Sequence, residues 1–138
     1  MSSLVIDERT ALEDLLESCH GAVYAYGIVA AYLTDPDEAL DAMASFRKQR
    51  DQLLATIAEL GYAAPPARAA YSLKTEVIDD ASARVTASLL EESIVAHWAN
   101  AIFYLPIQVQ QRECEFLQSA AIRSFNWAGI AKAFSSAQ

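Results

Sequence analysis

Glycine and proline are scarce, with four of each in 138 residues. A chain so poor in breakers of regular structure, and rich in alanine, favours helix throughout. Two cysteines, Cys19 and Cys114, are too few for a disulfide framework. They are expected to be small buried hydrophobes kept reduced in a cytoplasmic setting. A bridge between them would require their two helix faces to meet. Basic residues number 10 against 18 acidic ones, for a net charge of −8 and a pI near 4.6. That surplus repels phosphate backbones and argues against a nucleic-acid partner. No apolar run reaches the roughly 18–20 residues of a membrane span. The run Ile28 to Leu33 is stopped by Thr34-Asp35-Pro36-Asp37. The opening Met-Ser-Ser lacks the basic region of a signal peptide. Also missing are a glycine-rich phosphate loop, a Cys-x-x-Cys pair and a nucleophile elbow. Cys19 beside His20 is no thiolate–imidazole pair, because consecutive helical side chains point about 100° apart. No catalytic set stands out, and an enzyme is not the expectation.

What is present is periodicity. The length suits one domain spanning 1–138, and the pattern predicts four long helices over about 7–34, 36–60, 80–104 and 107–134. The first carries Leu12, Leu15, Cys19, Ala22, Tyr26, Val29 and Leu33, an unbroken alternation of three and four. The second carries Ala39, Met43, Phe46, Arg50, Leu53, Ile57 and Leu60, and ends at Gly61. The third carries Ser82, Val85, Leu89, Glu92, Ala96, Ala99 and Phe103. The fourth is expected to bury Val109, Phe116, Leu117, Ala120, Ser124, Trp127 and Ala131, and to fray near Phe134. Asp35-Pro36 marks a tight turn, so the first two helices are antiparallel neighbours. Residues 62–78 hold Pro65-Pro66 and no helical period. So long a connection lets the chain cross the bundle lengthwise. The expected fold is all-α: a ferritin-like four-helix bundle of two helical hairpins joined by a long crossover. The cluster Phe103 to Ile107 is expected to close one bundle end, the alternative being an exposed patch for self-association.

Polar groups interrupt these stripes at mid-height. Arg50 occupies a seam position of the second helix and Glu92 one of the third, while the first helix offers Glu17, His20 and Tyr24 there. A buried guanidinium needs a paired carboxylate, so Arg50 is expected to meet Glu92 or Glu17 in a bidentate contact. Glu17-Ser-Cys-His20 is also one Glu-x-x-His step. Di-iron carboxylate bundles use two such steps plus two further glutamates. Only one is present, so the expectation is no cofactor, with core charge balanced by Arg50. The alternative is iron or manganese held by Glu17, His20 and Glu92.

Three strings together carry a family likeness: His20-Gly-Ala-Val-Tyr-Ala-Tyr-Gly27, Phe46-Arg-Lys-Gln-Arg-Asp51 and Pro65-Pro-Ala-Arg-Ala-Ala-Tyr71. As a set they make the chain resemble an uncharacterised, alanine-rich, ferritin-like family of actinobacteria, a domain of unknown function. Members tend to read Glu-His at Cys19-His20 and His-Arg at Phe46-Arg47, so two metal-type side chains of that pattern are absent here. The resemblance implies a ferritin-like bundle and no established activity. The functional expectation is action through protein contacts, as a homodimer. The competing ones are a metal-dependent oxidoreductase or metal-binding protein, and a small-molecule binder with a cavity beside Ala120, Ala121 and Ser124.

Overall fold

Acidic side chains start two of the helices. Asp7 accepts the backbone N–H of Thr10 at 2.8 Å and caps α1, Glu8–Tyr32. Asp79 accepts from Ser82 N, the Ser82 hydroxyl reaches back to Asp79, and this reciprocal box opens α3, Asp80–Ala101. Between them lies α2, Asp37–Glu59, whose cap is Pro36, with Asp35 taking the Asp37 N–H one residue earlier at 3.1 Å. A short 3₁₀ turn, Ile102–Tyr104, extends α3, and Leu105-Pro106 leads into α4, Ile107–Ser136. The computed structural model describes residues 7–73 and 75–136, with side chains as far as Gly129. Ala131 and Phe134 therefore lie outside the described side chains. Among the described residues every regular element is helical.

The second helix ends where Gly61 adopts φ 81°, a left-handed conformation that a Cβ disfavours. There Gly61 N–H bonds Ala58 O at 3.0 Å and Tyr62 N–H bonds Ile57 O at 3.1 Å, the paired closure of a Schellman motif.

The four helices form a bundle of two antiparallel hairpins, α1–α2 and α3–α4, with α1 also packed on α3. Direction follows from cross-helix contacts. Thr34 N–H donates to Asp80 and Ser18 meets His97, so α1 and α3 run antiparallel. Thr56 meets Arg112 and Phe46 meets Phe116, so α2 and α4 do as well. The diagonal pair α2 and α3 is then parallel, and residues 60–79 must return the chain along the full bundle. They do so against α1. Tyr62 bonds Glu8 at 3.2 Å, Arg68 stands 3.6 Å from Glu17, and the Tyr71 ring lies beside Tyr24 and Gly21.

All seven residues of the α1 stripe, Leu12 to Leu33, are buried. Burial of each large aliphatic among them contributes about 1.5–3 kcal/mol. The α3 stripe behaves in the opposite way. Val85, Leu89, Glu92, Ala96, Ala99 and Phe103 are exposed, and Ala83, Ala87, Glu91, Ile94, Trp98 and Ala101 face the core. The cluster expected to close the bundle end does so only in part: Leu105 and Pro106 are buried, whereas Phe103 and Ile107 are more than 80% exposed. A 3₁₀ turn swings successive side chains apart too far for all five to face inward.

Two measurements check this account. Gly61→Ala should lower unfolding free energy by about 1–2 kcal/mol. Gly27→Ala, at an exposed helical position with no atom within 4 Å of the added Cβ, should raise it by about 0.5–1 kcal/mol. Both are read by urea denaturation. Backbone and hydroxyl hydrogen bonds hold the Asp7 and Asp79 carboxyls below their ordinary 3.8. Their stabilisation is present above the unfolded carboxylate value and is lost as pH falls through the lowered folded values. Thermal midpoints should therefore drop on acidification below about pH 4, less steeply in an Asp7→Asn, Asp79→Asn double variant.

Candidate functional site

The bundle interior holds two glutamates with no solvent exposure, Glu91 on α3 and Glu113 on α4. An isolated buried carboxylate is costly, so each must find donors. Arg123 and Arg112 supply them. These arginines stand eleven residues apart on α4, three helical turns, and so project from one side of it. Arg123 Nε donates to Glu91 Oε2 at 2.8 Å, and Arg112 Nε to Glu113 Oε2 at 2.8 Å.

Each pair is embedded in a network spanning the bundle. Trp127 Nε1 donates to the Tyr26 hydroxyl at 3.1 Å, and that hydroxyl donates to Glu91 in a short hydrogen bond. Arg123 also lies over the rings of Phe46 and Phe116, 5.1 and 5.6 Å from their centres. Around Glu113, Trp98 Nε1 donates at 2.9 Å, the Gln49 amide donates in a short bond, and Arg112 reaches on to Thr56 at 3.1 Å. All four helices contribute. Burial raises the Glu91 pKa, while Arg123 and the Tyr26 hydroxyl pull it back down. Burial, reinforced by Glu91, raises the Tyr26 phenol and keeps it a donor. The Cys19 thiol is also raised by burial, so it stays protonated and unreactive.

The polar layer expected from the sequence is not assembled. Arg50 pairs with its neighbour Asp51 at 3.0 Å, and Glu92 is exposed. The inward positions belong to Gln49 and Glu91, one residue earlier on each helix, because a one-residue change of phase rotates a side chain by about 100°. Glu17 faces the crossover and pairs with Arg68. Tyr24 packs on Tyr71, 5.9 Å between ring centres, while Tyr26 is the core tyrosine. His20 is half-buried, and its pKa is lowered by that burial and by Arg50 against the opposing pull of Glu17. A readable signal for the true layer exists on α4. The steps Val109, Glu113, Phe116, Ala120, Arg123, Trp127 alternate four and three, and place both charges in the seam.

A carboxylate-bridged metal pair needs four carboxylates and two imidazoles converging on the axis. The carboxylates that do converge here are already bound to guanidinium groups. Among the described residues no three His, Cys, Asp or Glu side chains come together as a metal-binding group. The residues present do not fit such a centre.

A groove lies between α1 and α3, edged by the crossover, with a volume of about 550 Å³. It lies away from Ala120, Ala121 and Ser124, where the sequence suggested a cavity. Ala120 is buried there and Ala121 faces outward.

A bundle with arginine-neutralised core carboxylates is the class this geometry defines. Residues 11–136 match the family described as "Domain of unknown function (DUF4439)", and the chain belongs to that family. It is similar to the solved structure of the conserved hypothetical protein rv2844 from Mycobacterium tuberculosis, at 26% identity, a TM-score of 0.86 and 91% coverage of each chain. No curated protein matches.

A mutant cycle tests the charge layer. Glu91→Leu leaves Arg123 without its counter-ion and should cost about 3–5 kcal/mol in urea denaturation. Adding Arg123→Leu should restore most of that loss. Glu92→Leu, one position along but in solvent, should change stability by no more than about 0.5 kcal/mol.

Proposed function

We propose that this protein is a ferritin-like bundle, a single domain over 1–138, that works through contacts and not through metal chemistry. Its setting is a reducing, cytoplasmic one, and its working form is a homodimer. One observation carries this reading: α3 is apolar on two faces. The inner face, from Ala83 to Ala101, builds the core, and a second stripe of three-four spacing runs outward through Val85, Leu89, Ala96, Ala99 and Phe103. A helix apolar on opposite sides is normally buried on both.

The neighbouring outer face of α4 continues the patch. The Glu91–Arg123 and Trp98–Glu113 contacts set a register that brings Leu89 level with Phe125 and Glu92 level with Ile122. Phe125 is 78% exposed and Ile122 61%. Ile107 and Cys114 lie on the same side of α4, and both are exposed. Glu92 is the only ionisable residue along the α3 stripe from Val85 to Phe103. The small Ala96 and Ala99 allow two backbones to approach closely. A 22-residue helix is about 33 Å long, and two side by side offer on the order of 600–700 Å². That is close to the ~800 Å² per partner of a standard interface. A second copy presents the same patch, and a two-fold axis makes it self-complementary. Free Cys19 and Cys114 are compatible with a reducing compartment. No helix among the described residues is long and apolar enough to cross a membrane.

Light scattering after gel filtration should give a mass of twice 15.0 kDa. A Leu89→Glu, Phe125→Glu variant should elute at the monomer mass with unchanged helical circular dichroism. Labelling of Cys114 should slow as protein concentration rises. A wild type that stays monomeric at high concentration, or a dimer indifferent to both substitutions, would sink the reading.

A further inference from the structure

The groove between α1 and α3 lies on a side of α3 adjoining its outer stripe, and it has the build of a ligand site. Its volume of about 550 Å³ falls within the range of small-molecule pockets. The floor is apolar: Ala22 and Ala25 from α1, Leu90 and Ile94 from α3. Tyr71 and Leu73 of the crossover form one wall. The short Gly21, Ala22 and Ala25 on α1 and Ser93 on α3 leave the space that larger side chains would fill.

The ionisable groups gather toward one end. Ser18 Oγ and His97 Nδ1 are 2.8 Å apart, and Asp14 and Glu17 stand nearby on the same helix face. Glu17 Oε2 has Arg68 at 3.6 Å, but Glu17 Oε1 is buried with no hydrogen-bond partner. Burial raises the pKa of the Tyr71 hydroxyl, which accepts from Arg68 N at 2.8 Å, and a side-chain hydrogen bond with Glu17 raises it further. A buried carboxylate oxygen without a donor is costly, and a ligand bearing N–H donors would satisfy it. The described lining contains two carboxylates and no lysine or arginine, and the whole chain carries −8.

We infer that this groove binds a single-chain amphipathic amine, its apolar body along Ala22, Ala25, Leu90 and Ile94 and its ammonium group on Glu17 Oε1. The recognition is a charge-assisted hydrogen bond at one end of an apolar trough. Selectivity against anions comes from Asp14 and Glu17 together.

The test compares dodecylamine with dodecyl sulfate, both below micelle formation, by titration calorimetry on the intact protein. The amine should bind at one per chain, and the sulfate at least about tenfold more weakly. Glu17→Gln should weaken the amine about tenfold, the loss expected for one charge-assisted bond. Glu59→Gln removes the same charge from an exposed site on α2 and should leave binding unchanged. Ser93→Trp, filling the groove from its half-buried wall, should abolish it while the circular dichroism spectrum persists. Equal uptake of amine and sulfate, unaltered amine binding in both Glu17→Gln and Ser93→Trp, or uptake of neither probe would overturn the assignment. So would binding of an apolar helical peptide with no uptake of the amine.

Discussion

Two guanidinium groups on one helix hold the interior of this bundle together electrically. Glu91 and Glu113 lie fully out of water, and neither would be tolerated there as a lone anion. Arg123 and Arg112 neutralise them from α4; the Trp98 indole and the Gln49 amide complete Glu113 Oε1, the Tyr26 phenol joins Arg123 on Glu91 Oε2, and Glu91 Oε1 has no hydrogen-bond partner. The helices that carry these donors are thereby fixed in height relative to one another. Tyr26 meets Glu91 only if α1 and α3 are in register, and Gln49 meets Glu113 only if α2 and α4 are. Hydrophobic burial supplies most of the free energy but little of this specificity, since apolar seams can slide by a turn at modest cost. The charge layer removes that freedom.

The same layer shapes what the protein can do. Carboxylates on the axis of a four-helix bundle are the raw material of a metal centre. Here an arginine occupies the position of the positive charge, at bond lengths of 2.8 Å, and repels any cation that would compete. The proposed function and the proposed ligand site both lie at the periphery, on the outward apolar face of α3 and α4 and in the trough between α1 and α3. They share a cause. Alanine, glycine and serine on several helix faces allow close approach of backbones, and they leave room for the groove and for the proposed contact along α3.

The crossover contributes more than connection. Running beside α1 from Tyr62 to Tyr71, it makes contacts with Glu8, Glu17 and Tyr24 that tie it to the helix. It also forms one wall of the groove. Its irregular backbone is what allows two parallel diagonal helices, α2 and α3, to belong to one bundle.

Helix number, helix ends and the long crossover were legible in the residues, because capping carboxylates, Gly61, Pro106 and the three-four spacing are local signals. So was the core face of α1, which has a single apolar stripe. The charge layer was legible only in kind: an arginine paired with a core carboxylate was expected at Arg50 with Glu92 or Glu17, and the buried pairs stand at Arg123–Glu91 and Arg112–Glu113. Glu91 and Glu92 are chemically identical neighbours, and so nothing local distinguishes the one that turns inward. On α3 two apolar stripes compete, and periodicity reports that a stripe exists without saying which other helix lies against it. Local chemistry therefore established four rods, their lengths and their order of connection. Which face of α3 meets the core, and which acids meet which arginines, follows from the packing of all four rods at once, since a side chain's burial is a property of its neighbours and not of its own place in the chain.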